Sequence, residues 1–309
     1  MSTTTTPART TRADAPRQNK PANFGRAPSD TPGSWLTYVI LTLAVLFFVF
    51  PLYYMFVGGS GTEADLADMR MVPGGEIVAN AKEVLTLEGV NFLNAMWNSL
   101  WISAVVTASQ LFFCSLAGFA FAKLRFKGRN GLLLFLVGTM TIPSQLGVVA
   151  LYILFRKLPY PGDDSDQGWN TQLIAVVVPT LVTAFGVFYM RQFIEDAIPD
   201  ELIEAGRVDG ASTFRTFVSI VVPTLRPAFG VLGLLTFCAT WNDFVWPLVT
   251  LNGEHRTVQV ALSTLATGQT VPWPRVFMGS TLATLPLLII FFVAGKQIVG
   301  GIMEGAVKS

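Results

Sequence analysis

The chain has 309 residues, of which 51% are apolar and only 13% charged, and its 21 Lys and Arg nearly balance 20 Asp and Glu. Mean hydropathy is +0.52. These values exclude a soluble enzyme domain and, with a net charge of +1, a basic nucleic-acid binder, and they fit a polytopic membrane protein.

Residues 1–33 are rich in Thr, Pro, Ala and Arg and are expected to form a disordered cytoplasmic tail. A bilayer core of roughly 30 Å needs about 20 apolar residues to cross it as a helix. Six runs qualify: 35–57, 97–122, 131–155, 173–190, 227–250 and 276–295. The expected fold is therefore all-α with six transmembrane helices, over residues 34–309. The first run is too long for the apolar core of a cleaved leader, so it reads as an uncleaved anchor. With the amino terminus inside, fifteen of the 21 Lys and Arg fall in inner segments and six in outer ones. That asymmetry predicts two cytoplasmic termini.

Each polar segment has an ordinary explanation and a functional one. The loop from Leu116 to Arg129, LAGFAFAKLRFKGR, is physically sufficient as a positive-inside anchor. In the third run Pro143 frees a carbonyl and Gln145 is an amide that lipid penalises, through either a structural kink or a pathway lining. The segment 204–227, EAGRVDGASTFRTFVSIVVPTLRP, is polar between two apolar runs and reads as a helix–turn–helix within a cytoplasmic loop of about 191–226. Pro199 suits a first turn. Asp209–Gly210 breaks the chain, and Ser212 can cap a second helix. On that helix Phe214, Phe217, Val218 and Val221 form one apolar stripe, which predicts a lever with nothing in the chain to pack it.

In the fifth run Trp241, Asn242, Asp243, Phe244 and Trp246 precede Pro247. An Asp inside a span should face protein or a wet cavity, held either by a packing hydrogen bond with Asn242 or at a gate. The aromatics can stack on sugar rings or belong to an interfacial belt. The outer segment 251–274 is, as sequence alone, an extracytoplasmic loop. The ending GGIMEGAVK is polar and Gly-rich. Cys114 and Cys238 fall inside spans as small apolar residues, and His255 is the only histidine, so no disulfide or metal site is expected. No phosphate-binding G-x-x-x-x-G-K-[ST] or hydrolase motif occurs, so the chain alone does not hydrolyse ATP.

Four of these segments resemble one family. The hairpin is similar to the EAA loop of bacterial ABC importer permeases, with Glu204, Ala205, Gly210, Ile220 and Pro223 in place and Gly206 standing for the second Ala. The Leu116–Arg129 loop, the Trp241–Asn242–Asp243 stretch and the AVK ending resemble the maltose-type carbohydrate branch. The resemblance implies the transmembrane domain of a type I ABC importer, one permease subunit in a heterodimer with a similar permease. It further implies two ATPase subunits, which use the ATP and Mg, no cofactor on this chain, and an extracytoplasmic solute-binding protein. The cargo would be a di- or oligosaccharide, with glycerol-phosphate or polyol as alternatives and, from the general architecture, a secondary transporter as the remote one. The ending also resembles permeases for plant-derived disaccharides such as cellobiose. Site roles follow from the same resemblance. Glu204, Ala205, Gly206, Asp209, Gly210, Phe214 and Phe217 would couple to the ATPase. Gln145, Trp241, Asn242, Asp243 and Trp246 would line a pathway or gate. Glu304, Gly305 and Lys308 of the tail would contact the ATPases.

Overall fold

A computed structural model describes residues 34–157, 169–251, 255–268 and 271–307. The disordered-tail expectation for residues 1–33 and the role given to Lys308 lie outside the described residues, as do the side chains of Glu304 and Gly305. The chain divides into two units, Met1–Phe50 and Pro51–Ser309. The described part of the first is the leading stretch of α1 (Trp35–Ser60), apolar on all sides, with Trp35, Phe47 and Phe48 exposed. A helix of that character is suited to lipid rather than to a protein groove.

The second unit is organised around α4 (Phe92–Lys123), 32 residues long and free of proline. At about 1.5 Å per residue it spans roughly 48 Å, longer than the hydrocarbon layer. Its buried residues enter all three apolar clusters. Near Lys123, Cys114, Phe119 and Phe121 meet Val187, Met190 and Ile194 of α8 (Ala184–Ala197) and Leu232 of α12 (Arg226–Trp241). At the other end, Phe92 and Ala95 join Phe237, Trp241, Val258 of α14 (Val258–Thr267) and Met278 of α15 (Trp273–Val307). Ile102 and Val106 join Phe155, Ala175, Val176 and Trp246.

Two glycines set the α4–α8 distance. A Cβ on Gly118 would stand 2.8 Å from the Arg191 backbone nitrogen and from Met190 Cβ, and one on Gly186 would stand 2.7 Å from Cys114 Sγ. Lipid tails are as apolar as Leu, so spans associate through such close backbone approach rather than through hydrophobic expulsion.

Among the described residues four helices are long and apolar enough to cross a membrane, and six spans result if each of two bent pairs counts as one. The run 131–155, expected as one span kinked at most at Pro143, is broken outright. It splits into α5 (Arg129–Thr139) and a segment from Ser144 through α6 (Val148–Lys157), bent by 90°. Pro143 sits in the break, where Ile142 N–H turns back to Thr139 O at 3.2 Å and Thr141 N–H to Gly138 O at 3.2 Å. Thr139 Oγ1 and Thr141 Oγ1 donate in addition to Leu136 O at 2.6 Å and Gly138 O at 2.8 Å. The fourth run is interrupted by a 3₁₀ turn at Val178–Thr180, where Pro179 withholds its N–H, between α7 (Trp169–Val177) and α8. The fifth ends at Trp241 and resumes as α13 (Val245–Thr250).

The Gly118 contact generates a test. Gly118→Ala should cost about 1–3 kcal/mol, because the added methyl meets backbone rather than a yielding side chain. Gly138→Ala, with nothing within 4 Å of the added carbon, should be neutral or mildly stabilising. Thermal unfolding of both variants in detergent checks the contrast.

Candidate functional site

The hairpin following α8 consists of α9 (Asp200–Val208), a turn and α10 (Thr213–Thr216). Pro199 occupies the cap position rather than the first helical one, and Asp200 and Glu201 place acidic groups on the positive end of α9. The turn closes α9 as a Schellman motif: Ala211 N–H donates to Gly206 O at 2.9 Å and Gly210 N–H to Arg207 O at 3.0 Å. Gly210 has φ +76°, the left-handed region that the motif requires. Ser212 then caps the second arm, its hydroxyl accepting from Arg215 N–H at 3.2 Å. A π turn at Phe217–Val221 follows, immediately ahead of Pro223, whose ring crowds the carbonyl four residues back.

The hairpin does not stand unpacked as expected. Ile203, Phe217, Val221 and Leu225 are buried in the cluster that holds Phe119, Met190 and Ile194. The stripe is accordingly split, with Phe217 and Val221 facing inward while Phe214 is 58% and Val218 46% exposed. Gly206 faces Thr216 and Ile220 across the two arms. Glu204, Ala205, Asp209 and Gly210 are exposed, beside an exposed Leu202 and a Val208 that is 88% exposed. Phe217 is thus a root of the hairpin and Gly206 is buried between its arms, so the free face is made by the other five candidates with Leu202 and Val208.

Ion pairs tie this end together. Lys123 Nζ lies 2.6 Å from Asp200 Oδ1. Glu195 accepts from Arg191 and lies 3.6 Å from an Arg129 nitrogen, joining α8 to the start of α5. The Lys123 ammonium, chiefly by its hydrogen bond, holds the Asp200 carboxyl below the usual carboxylate range. A depressed folded-state value stabilises at pH above the ordinary carboxylate pKa, and the contribution fades as pH falls through the lowered value.

A second feature lies where three helix breaks converge. A cavity of about 240 Å³ is lined by Ser144 and Gln145 beside the Pro143 break, Pro179 and Thr180 of the 3₁₀ turn, and Asp243, Val245 and Trp246 at the start of α13. Non-helical backbone at membrane depth is tolerated only against protein or a wet cavity. Asp243 stands between the end of α12 and the start of α13, its N–H donating to Thr240 O at 3.2 Å. Its place is a polar wall position, not a helix centre. Trp246 is held by a hydrogen bond from Nε1 to Ala175 O at 3.1 Å and by an edge contact with Phe155.

Two pathway candidates do not join this cavity. Trp241 is only 1% exposed, stacks on Phe237 and donates from Nε1 to Ala283 O at 3.2 Å. Asn242 is exposed and bonds Cys238 O and the Gln259 amide, not Asp243. The tryptophans are therefore engaged within the chain, and Phe244 is the more open ring of the group.

Gln110 went unnoticed in the sequence. This buried amide donates from Nε2 to Thr180 O at 2.8 Å, and its Oε1 accepts from the Thr183 and Thr236 hydroxyls at 3.2 and 3.1 Å. It thereby fixes one wall of the cavity to α4 and α12. The available signal was a bare amide within an apolar run, which lipid would penalise.

The family described as binding-protein-dependent transport system inner membrane component matches residues 114–300, from α4 through the hairpin into α15. The chain belongs to this family. It is 30% identical to the lactose transport system permease protein LacG of Rhizobium radiobacter, over 88% of this chain and 95% of that one. It is also 30% identical to the arabinooligosaccharides transport system permease protein AraQ of Halalkalibacterium halodurans, over 89% and 96%. The sn-glycerol-3-phosphate permease UgpE of Brucella abortus strain 2308 is 25% identical over 86% and 95%. A bacterial ABC transporter involved in the import of the acidic polysaccharide alginate shares the fold, with a TM-score of 0.70 at 18% identity over 85% of this chain and 95% of that one. The chain is a multi-pass membrane component with the transmembrane fold of a type I ABC importer.

The two hairpin glycines should respond in opposite senses. At Gly206 an added Cβ would make ordinary contacts, 3.5 Å to Ile220 and 3.6 Å to Thr216, so Gly206→Ala should stabilise by up to about 1 kcal/mol. Gly210→Ala should cost about 1–2 kcal/mol through its left-handed backbone. Thermal midpoints of the purified variants measure the difference.

Proposed function

We propose that this permease imports a neutral di- or oligosaccharide, driven by two ATPase subunits that grip the hairpin, with a similar permease completing the pathway. The observation that carries the coupling role is the hairpin's construction. Its inner face is fused to the bundle, and its outer face presents Leu202, Glu204, Ala205, Val208 and Phe214. An exposed apolar patch with a polar rim, outside the apolar spans, is a protein-binding surface. The Lys and Arg asymmetry supports placing this face and both termini in the cytoplasm, with an extracytoplasmic binding protein delivering cargo on the other side.

The cavity supports a pathway wall rather than a complete binding site. At about 240 Å³ it is smaller than the roughly 300–1,000 Å³ of small-molecule pockets, as expected if a second permease supplies the facing half. Its described lining offers hydroxyls, an amide and a carboxylate and no Lys or Arg. Neutral hydroxylated cargo suits that set. A glycerol-phosphate would call for the charge-assisted donors that phosphate prefers, so the relatives named for that cargo are the less fitting guide.

Glu204→Lys should abolish uptake of the sugar that stabilises the cognate binding protein, with membrane insertion unchanged. Normal uptake together with normal ATPase stimulation would overturn the coupling role. For the cavity, Asp243→Asn keeps shape and deletes charge. Its transport rate in reconstituted complexes should fall at least severalfold, and a rate within about twofold of the parent would assign Asp243 to packing alone.

A further inference from the structure

Lys123 is the last residue of α4 and Asp200 the first of α9, so their ion pair joins a membrane-crossing helix to the hairpin across 77 residues of sequence. The two ends differ in setting: the Lys123 side chain is 6% exposed and that of Asp200 73%. A nearly buried ammonium is costly without its partner, which makes the pair a positional constraint rather than a loose surface contact. Beside it the Phe119 and Phe217 rings meet at 5.7 Å. The covalent route into the hairpin runs instead through Ile198 and Pro199 in extended conformation.

The body of α4 is suited to carry movement. It contains no proline and stays one helix over 32 residues, whereas the spans from Arg129 to Lys157 and from Thr213 to Trp241 are bent by 90° and 79°. In its other half Ile102 and Val106 share a buried cluster with Trp246, a wall of the cavity. One unbroken helix therefore touches the hairpin at one end and the cavity wall near its middle. From these observations we propose that α4 is the rod through which hairpin displacement reaches the cavity, and that Lys123–Asp200 is the pin fastening hairpin to rod. The inference rests on the hairpin being the ATPase contact. Coupling demands that both sites bias one two-state element, and the rod is the contiguous candidate.

The test uses the full importer complex in a background lacking Cys114 and Cys238, with ATP and vanadate as the trapping ligand. Val208→Cys reports docking of ATPase on the hairpin, and Ser144→Cys reports the cavity, each by its rate of labelling with a hydrophilic maleimide. In the parent, ATPases should protect position 208, and trapping should change labelling at position 144 at least fivefold. Asp200→Asn and Lys123→Met should keep the protection at 208 but shrink the change at 144 to under twofold, while Asp200→Glu, which retains the pair, should behave as the parent. A parent-like change at 144 in Asp200→Asn overturns the pin even if Lys123→Met fails to assemble, since Asp200 is exposed and its replacement isosteric. Absence of protection at 208 in the parent overturns the hairpin reading itself, and the pin with it.

Discussion

The close crossing of α4 and α8 is the constraint on which the rest depends. With Gly118 against Met190–Arg191 and Gly186 against Cys114, the two backbones approach to a distance that no larger side chain permits. That approach brings Lys123 to the root of the hairpin and Gln110 to the 3₁₀ turn that follows α7. Widening it would loosen the ion pairs at one end and the amide network in the middle together. In a lipid environment small residues and satisfied polar groups hold helices together, and here both kinds lie along one face of α4.

The breaks in the spans form a pattern of their own. Three of them, at Pro143, at Pro179 and at Asn242–Phe244, meet around one cavity, and each exposes backbone or side-chain polarity that hydrocarbon would not accept. These three breaks are concentrated around one cavity with polar groups in its wall, while α4 runs through the bundle unbroken.

Much of this was legible in the sequence, because apolar run length and Lys and Arg placement are strong one-dimensional signals. The Schellman turn at Gly210 and the Ser212 cap were readable for a similar reason, since both are local backbone chemistry. What escaped was tertiary. Periodicity placed Phe214 and Phe217 on one stripe, but it could not tell that the hairpin root is sunk into the bundle and the stripe divided. The burial of Trp241 was not legible either, because a tryptophan with its N–H bonded to Ala283 O looks, in sequence, like one facing a pathway. Gln110 belongs to no motif, and its partners lie 70 to 126 residues away.

The pin also orders the making of the protein. Lys123 leaves the ribosome 77 residues before Asp200, which at roughly 5–20 residues per second is an interval of about 4–15 s. For most of that interval the inner face of α4 lacks α8 (Ala184–Ala197), and its terminal ammonium lacks Asp200 to the end. An early α4 is long and apolar enough to cross the bilayer on hydropathy alone, before its hairpin partner is made. A nascent chain that stops before α8 therefore leaves the small-residue seam of α4 uncovered, and one that stops before Asp200 leaves the Lys123 ammonium without its carboxylate.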